Sequence, residues 1–489
     1  MDPVIEKLNR IGIALSSETD LDRLLELIVT EARAFNAADA GSLYTLEDSR
    51  LIFRVAQNDT LDARSGQGSA FKPFPIPLDA KSIAGYVALT GDVLHIDDVY
   101  HLDRDCQYCF NRSFDEQNEY RTQSMLVVPM KEPEGSIIGV LQLINAMDGA
   151  AVQPFSTEYR TLTLSLASQA AVAIRNARLI KYIKGLFEAL IKYSASAIDA
   201  RSPHTAGHSR RVAAYALACA HQINEESDGP FAEVSLSDAE LERLSYAAWL
   251  HDIGKIGVPE NILDKRWRLP VGHEEVISAR FSMAMAMETL RAGRDRGEAE
   301  AEARRQWLKE AGERVQKINV SSFLPDEDLE FLGELAQTTY TDLDGNEKPL
   351  LTDIEMGYLT VRKGNLTSEE YRTMQSHVEH TLNIVQNIPF TGHLESVPFI
   401  ASAHHEMLNG SGYPRKLMAE DIPLEARILA MVDIFDALTA MDRPYRRAIS
   451  PEKACGILQA EVDSGRLDPD VVQLFVERRV YDRVDRENG

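Results

Sequence analysis

LHDIGKIG, residues 250–257, decides how this chain reads, together with AHHEMLNGSGYP, residues 403–414. The first holds an adjacent His251-Asp252 pair and the second an adjacent His404-His405 pair, in a chain of 489 residues with only 12 histidines. Imidazole and carboxylate are the ligands that suit divalent ions in phosphodiester cleavage, with at least one carboxylate able to bridge two ions. His251 fits one ion and Asp252 fits the bridge. Gly254 and Gly257 end the helix and let Lys255 turn back toward the site. His208 in TAGHSRRV and Asp433 in ILAMVDIFDALTA complete the first ion's ligands, and His377 in QSHVEHT joins His404 and His405 around the second. Asp433 lies between AMV and IF, where a buried carboxylate without a partner is costly and a nearby cation offsets the cost. Each residue alone reads as an ordinary core or surface side chain. Together, in a segment whose spacing is helical from about residue 200 onward, they point to a multi-metal hydrolytic site.

The composition, 44% hydrophobic and 26% charged, is that of a globular protein with room for two domains and a connector. A formal charge of -24 repels polyanions, which excludes long nucleic acid held by counterion release. A small phosphate ligand remains compatible with it where bound metals reverse the local sign. The opening MDPVIEKLNRIG has no basic start followed by an apolar block, and no apolar run approaches the roughly 20 residues that span a bilayer. The expectation is a cytoplasmic protein without a membrane partner. Cys106 and Cys109 form a single CxxC with no second pair, and read as two ordinary loop cysteines.

Residues 1–157 have a mixed α/β pattern. IEKLNRIGIALSSETDLDRLLELIVTEARAF reads as two amphipathic helices around a polar SSETD break. AGSLYTL, LIFRVA, SMLVVPM and SIIGVLQLIN follow as strands separated by short turns. A sheet flanked by helices with these last two strands resembles a GAF domain, which implies a sensor for a small-molecule or protein signal.

Residues 158–199 lack proline and form one long helix, with Val172, Asn176, Leu179, Ile183, Leu186, Leu190, Tyr193 and Ala197 at alternating steps of four and three. Such a seam either packs on the chain's own domains or pairs with a second copy as a parallel coiled coil, Asn176 fixing the register. Its position between a sensor-like and a catalytic-like segment favours the homodimer.

The order GHSRRV, LHDIGKIGVPENIL, SHVEHT, HHEMLNGSGYP and RILAMVDIFDALTAMDRPYR resembles the HD-GYP family of HD-domain metal phosphohydrolases over residues 200–489. The resemblance implies an all-α domain joined by the long helix to the α/β GAF-like domain. It implies two or three divalent ions, iron or manganese, and hydrolysis of cyclic di-GMP to the linear dinucleotide pGpG, with a second cut giving GMP. It assigns His208, His251, Asp252, His377, His404, His405 and Asp433 as metal ligands and Lys255 as a contact to the scissile phosphate. Gly412, Tyr413 and Pro414 would form the loop beside the substrate, and Arg443 and Arg446 would hold phosphate or guanine. His204, one helical turn before His208, stands where family members carry tyrosine or an acidic ligand, and reads either as a further ligand or as a donor behind the ligands. Asn409 replaces a common aspartate, and DALTAMDRPYR is one residue longer than the shorter family form. About 90 residues near 267–360 are an insertion whose alternating charges read as a solvated helix. The competing functions are a non-hydrolysing dinucleotide receptor and a phosphodiesterase for another cyclic dinucleotide.

Overall fold

Two compact units, residues 1–187 and 188–489, divide the chain. The computed structural model describes residues 3–18, 20–65, 72–103, 105–201, 207–291, 297–440 and 449–487. In the first unit, α1 (Pro3–Ser17) and α2 (Leu21–Asn36) lie either side of the polar break. Asp20 starts α2 by accepting the backbone N–H of Arg23 at 2.9 Å. Leu24, Leu25, Ile28, Val29, Ala32 and Phe35, spaced by threes and fours, form its buried face.

The chain continues through β1 (Ala38–Glu47), β2 (Arg50–Asn58), α3 (Asp59–Ser65), β3 (Phe74–Ile76), α4 (Ile83–Thr90), β4 (Leu94–Ile96), α5 (Ser113–Asn118), β5 (Met125–Lys131), β6 (Ile137–Asp148) and β7 (Ala151–Gln153). The sheet runs β3-β2-β1-β6-β5-β4, with β7 on β6 and every pairing antiparallel. Leu126, Val128 and Met130 of β5 enter the core shared with α2, while Met125 and Val127 enter a second core with Val87 of α4. Both faces of the sheet are covered, which is why SMLVVPM is a continuous apolar run rather than an alternating one.

Helix α6 (Thr157–Asp199) runs 43 residues without a proline. Leu166, Ala167, Ala170, Ala171, Ile174 and Ala177 pack into the first unit's core, and Ile191, Ala195 and Asp199 are buried near its end. Between them the expected seam stands in solvent: Leu179 is 48% exposed, Ile183 63%, Leu186 52%, Leu190 61% and Tyr193 74%. The chain's own packing does not use that face.

The second unit contains α7 (His208–Glu225), α8 (Asp238–Leu250), α9 (Glu260–Leu263), α10 (His273–Arg291), α11 (Glu298–Val320), α12 (Asp326–Ala336), a hairpin of β8 (Thr339–Thr341) and β9 (Glu347–Pro349), α13 (Asp353–Leu359), α14 (Ser368–Gln375), α15 (His377–Val385), α16 (Val397–Ala401), α17 (Leu424–Thr439), α18 (Pro451–Asp463), α19 (Pro469–Glu477) and α20 (Val480–Glu487). Its main core joins α7, α8 and α17 to α18, α19 and α20 through Val212, Ala216, Cys219, Leu244, Ile428, Val432, Phe435 and Phe475. Among the described residues no helix is long and apolar enough to cross a membrane.

The insertion departs from the solvated helix expected of it. Leu308, Ala311, Val315 and Ile318 of α11 are buried with Ile277, Phe281, Leu324, Leu332, Leu335, Leu350, Leu351 and Leu359 in a core of their own. Alternating charges occupy the other faces of α11, and the apolar stripe beneath them is narrow. Arg268, wholly buried, donates to the carbonyls of Val361 (3.1 Å), Ile318 (2.7 Å) and Ser321 and so ties both ends of the insertion together.

Candidate metal centre

Helix α8 buries Leu244, Tyr246, Ala247, Ala248 and Leu250, and this apolar face carries the two residues after it, His251 and Asp252, inward. His251 is fully buried and Asp252 nearly so. A tight turn over Ile253–Gly257 follows. A Cβ on Gly254 would lie 2.0 Å from the His377 carbonyl oxygen and 2.3 Å from the Thr381 nitrogen, so only glycine lets the turn lie against α15. Thr381 completes the seam, donating its hydroxyl to the His251 carbonyl at 2.8 Å and accepting the Gly254 N–H at 3.0 Å.

Four elements surround Asp252. Its Oδ2 is 3.3 Å from His208 Nε2, 3.4 Å from His251 Nε2 and 2.5 Å from Lys255 Nζ. Its Oδ1 is 3.6 Å from His377 Nε2 and 3.9 Å from His404 Nε2. Asp433 Oδ1 reaches His208 Nε2 at 3.2 Å and His251 Nε2 at 3.8 Å. His251, His377 and His404 each donate Nδ1–H to a carbonyl three residues back, on Ala248 (2.7 Å), Met374 (2.6 Å) and Ala401 (2.7 Å). That bond fixes the ring and turns Nε2 into the cluster. His208 Nδ1 is held at 2.8 Å by Asp436, which also accepts Arg211 Nε at 2.7 Å.

The electrostatics split the site in two. Burial opposes charging of His208, but Asp252, Asp433 and Asp436 outweigh it and raise the ring well above the ordinary imidazole value. His251 is raised to about 9, Asp252 overcoming burial. Burial would raise Asp252 and Asp433, yet Lys255 and His251 hold Asp252 well below the carboxylate range, and His208 and His251 do the same to Asp433. On the other side burial lowers His377 and His404, and takes His405 down to about 4, so these rings are neutral, the form that ligates a metal.

Among the described residues, three groups of donor atoms, each within 4.8 Å of one another, could hold an ion: His377, His404 and His405; His208, His251 and Asp433; and His251, Asp252 and His404. Divalent cations fit this set. Among the described residues the buried Nε2 atoms of His377 and His404 have no hydrogen-bond partner, an arrangement that is costly unless a ligand takes the lone pair. His251 and His404 each recur in two groups, and Asp252 stands in the group that links them.

All seven expected ligands and Lys255 therefore converge. The His405 ring lies against Tyr413, centroids 4.8 Å apart, and a Cβ on Gly412 would stand 2.4 Å from the Met407 nitrogen. Pro414 follows Tyr413 through a cis peptide. Buried Glu406 shapes this loop by accepting the N–H groups of Arg415 (2.8 Å) and Leu417 (3.0 Å). Asn409 accepts from the Ser411 N–H at 3.1 Å and hydroxyl at 2.6 Å, a turn role that an amide oxygen fills as well as a carboxylate. His204, Arg443 and Arg446 lie outside the described residues. Sequence reasoning missed Asp436, Thr381 and Glu406. For Asp436 a signal existed: it follows Asp433 by three residues on α17 and so shares its face.

A GAF domain family model matches residues 20–174, and HD domain models match residues 205–318 and 354–471. Among curated proteins, 3'3'-cGAMP-specific phosphodiesterase 3 of Vibrio cholerae serotype O1 is 27% identical over 284 residues, covering 58% of this chain and 37% of that protein. A cyclic di-GMP phosphodiesterase response regulator of Xanthomonas campestris pv. campestris is 38% identical over 120 residues, covering 24% of this chain and 31% of that protein. The chain thus spans about a third of the length of the curated relatives it matches. A GAF domain from an Acinetobacter phosphoenolpyruvate-protein phosphotransferase is 18% identical, covers 37% of this chain and 97% of its own, and has a TM-score of 0.28.

Proposed function

We propose, for a chain that carries a GAF domain followed by an HD domain, that it is a divalent-metal-dependent phosphodiesterase that opens cyclic di-GMP to the linear dinucleotide. The observation that supports it most is the convergence on Asp252 of His208, His251, His377 and His404 from four separate segments, with Lys255 Nζ 2.5 Å from the same carboxylate. His208, His251, Asp252, Asp433, His377, His404 and His405 would hold two ions, iron or manganese, with His204 a candidate for a third. When bound, such ions supply Lewis acidity toward phosphoryl oxygens and acidify water.

Asp252 keeps the two ligand groups in register and fixes Lys255 in its charged form. The Lys255 ammonium offsets the charge that grows on the phosphoryl oxygens as water adds to phosphorus and the bond to the 3'-oxygen breaks, the freed oxygen taking a proton. Tyr413, lying on His405, forms a wall for the dinucleotide.

The second reading is a preference for 3'3'-cGAMP, favoured because the relative aligned over 58% of this chain carries that name. Purified protein stripped with a chelator is expected to lose hydrolysis of both dinucleotides and to recover it with Mn(II) or Fe(II). The ratio of kcat/KM for the two decides the substrate. A metal-loaded parent that binds either dinucleotide and releases no product is a receptor, and the enzymatic reading falls.

The same proposal makes the exposed face of α6 the seam of a homodimer, through which a signal at the GAF domain reaches the metal centre. The Ile183→Asp, Leu190→Asp double variant is expected to sediment as one chain where the parent sediments as two, because two charges in an apolar seam have no partner there. A parent that is monomeric at micromolar concentration removes the dimer. A monomeric variant with unaltered turnover removes the seam from regulation.

A further inference from the structure

The last turn of α6 presents a puzzle of sign. Asp199 is its final residue, 4% exposed, and an acid at a helix C-terminus meets the negative end of the helix dipole. Its carboxylate instead accepts from the start of α7. Oδ2 accepts the Ser209 N–H at 3.0 Å and Oδ1 accepts the Ser209 hydroxyl at 3.0 Å. Ser209 is the second residue of α7, and the residue before that helix, Gly207, has no side chain with which to cap it. The buried anion at the start of α7 therefore comes from α6, and it stands one residue from His208.

Two residues on, Arg201 grips the opposite side of the site. Its guanidinium donates to the carbonyl oxygens of Ile256 (2.8 Å), Val258 (3.3 Å) and Lys255 (3.4 Å), the backbone of the turn that carries the Lys255 ammonium. The end of one helix thus holds the first ligand's helix and the lysine's turn at once.

We infer that Asp199 and Arg201 are positioning residues for the metal centre, Asp199 fixing His208 toward the ions and Arg201 fixing Lys255 toward the phosphate. The inference rests on the metal reading given above. It makes the end of α6 the part of the connecting helix whose displacement alters catalysis, because it bonds both the helix that His208 begins and the turn that carries Lys255.

The test is a Mn(II) titration of the full chain followed by electron paramagnetic resonance, with turnover measured on the same samples. Asp199→Ala is expected to weaken Mn(II) binding about 10- to 100-fold, the range for loss of a group that orients a ligand. Asp199→Asn, which retains one acceptor oxygen, falls between that variant and the parent, and Ser209→Ala, which removes one of the two bonds, serves if Asp199→Ala does not fold. Arg201→Ala is expected to keep Mn(II) affinity within about threefold and lower kcat about tenfold at unchanged KM, as misplacement of a single reacting group does. Asp199→Ala or Ser209→Ala protein that melts earlier but binds Mn(II) like the parent would mean a purely structural cap, and overturns the assignment. A parent that binds no Mn(II) overturns the metal reading itself, which is a separate outcome.

Discussion

Replacing Asp252 with alanine is expected to lower dinucleotide turnover by about 10³-fold or more, since a shared metal-bridging carboxylate contributes several kcal/mol and each 1.4 kcal/mol is tenfold in rate. The size follows from how many neighbours depend on one side chain. Asp252 faces four imidazole Nε2 atoms at 3.3–3.9 Å and accepts the Lys255 ammonium at 2.5 Å. Its loss leaves Lys255 as a half-buried cation short of its nearest anion and separates two candidate ligand groups that it otherwise joins. Asp252→Asn keeps the shape and loses the charge, and is expected to lose nearly as much. Steady-state kinetics with metal content determined on the same sample checks both variants. An alanine variant that retains its metal and stays within tenfold of the parent would falsify the bridging role.

Gly254→Ala is expected to cost about 3 kcal/mol or more of stability, at the upper end for overpacking, because the new Cβ meets backbone rather than a side chain that can swing aside. Helix α15 would have to retreat from the turn, and His377 begins that helix, so the substitution removes a ligand without touching one. For a unit spanning residues 188–489 the melting temperature falls by about 5 °C. Differential scanning calorimetry of the full chain reads this directly, and an unshifted transition assigned to the second unit would show that the turn and α15 are free to separate.

The candidate ligand set was legible because its members come within distinctive surroundings: His251 beside Asp252, His404 beside His405, and Asp433 between AMV and IF. The groups that aim those ligands were not. Asp436 shares a helix face with Asp433, but the ring it holds, His208, is 228 residues away, and Thr381 acts on the His251 carbonyl from 130, so what each of them aims does not show in the local sequence. Asp199 is harder still, because its local context argues for the wrong reading, an exposed polar residue at a helix end. The GAF-type sheet followed from strand alternation and turn residues, which are local. The insertion failed for the converse reason: the charges of α11 dominate its composition, while the stripe Leu308, Ala311, Val315 and Ile318 that sets its fold is four residues in 23.

The three carbonyl-to-imidazole bonds described above share an address. Ala248, Met374 and Ala401 lie in the final turns of α8, α14 and α16, so three helices aim their C-terminal ends at one cavity. Each such end carries partial negative charge, which adds to Asp252 and Asp433, while α7, with His208 first, and α15, with His377 first, offer their positive ends in return. On the proposed reading these helix ends favour a cation at the centre, so metal loading would strengthen the hold on an anionic substrate as well as supply the chemistry.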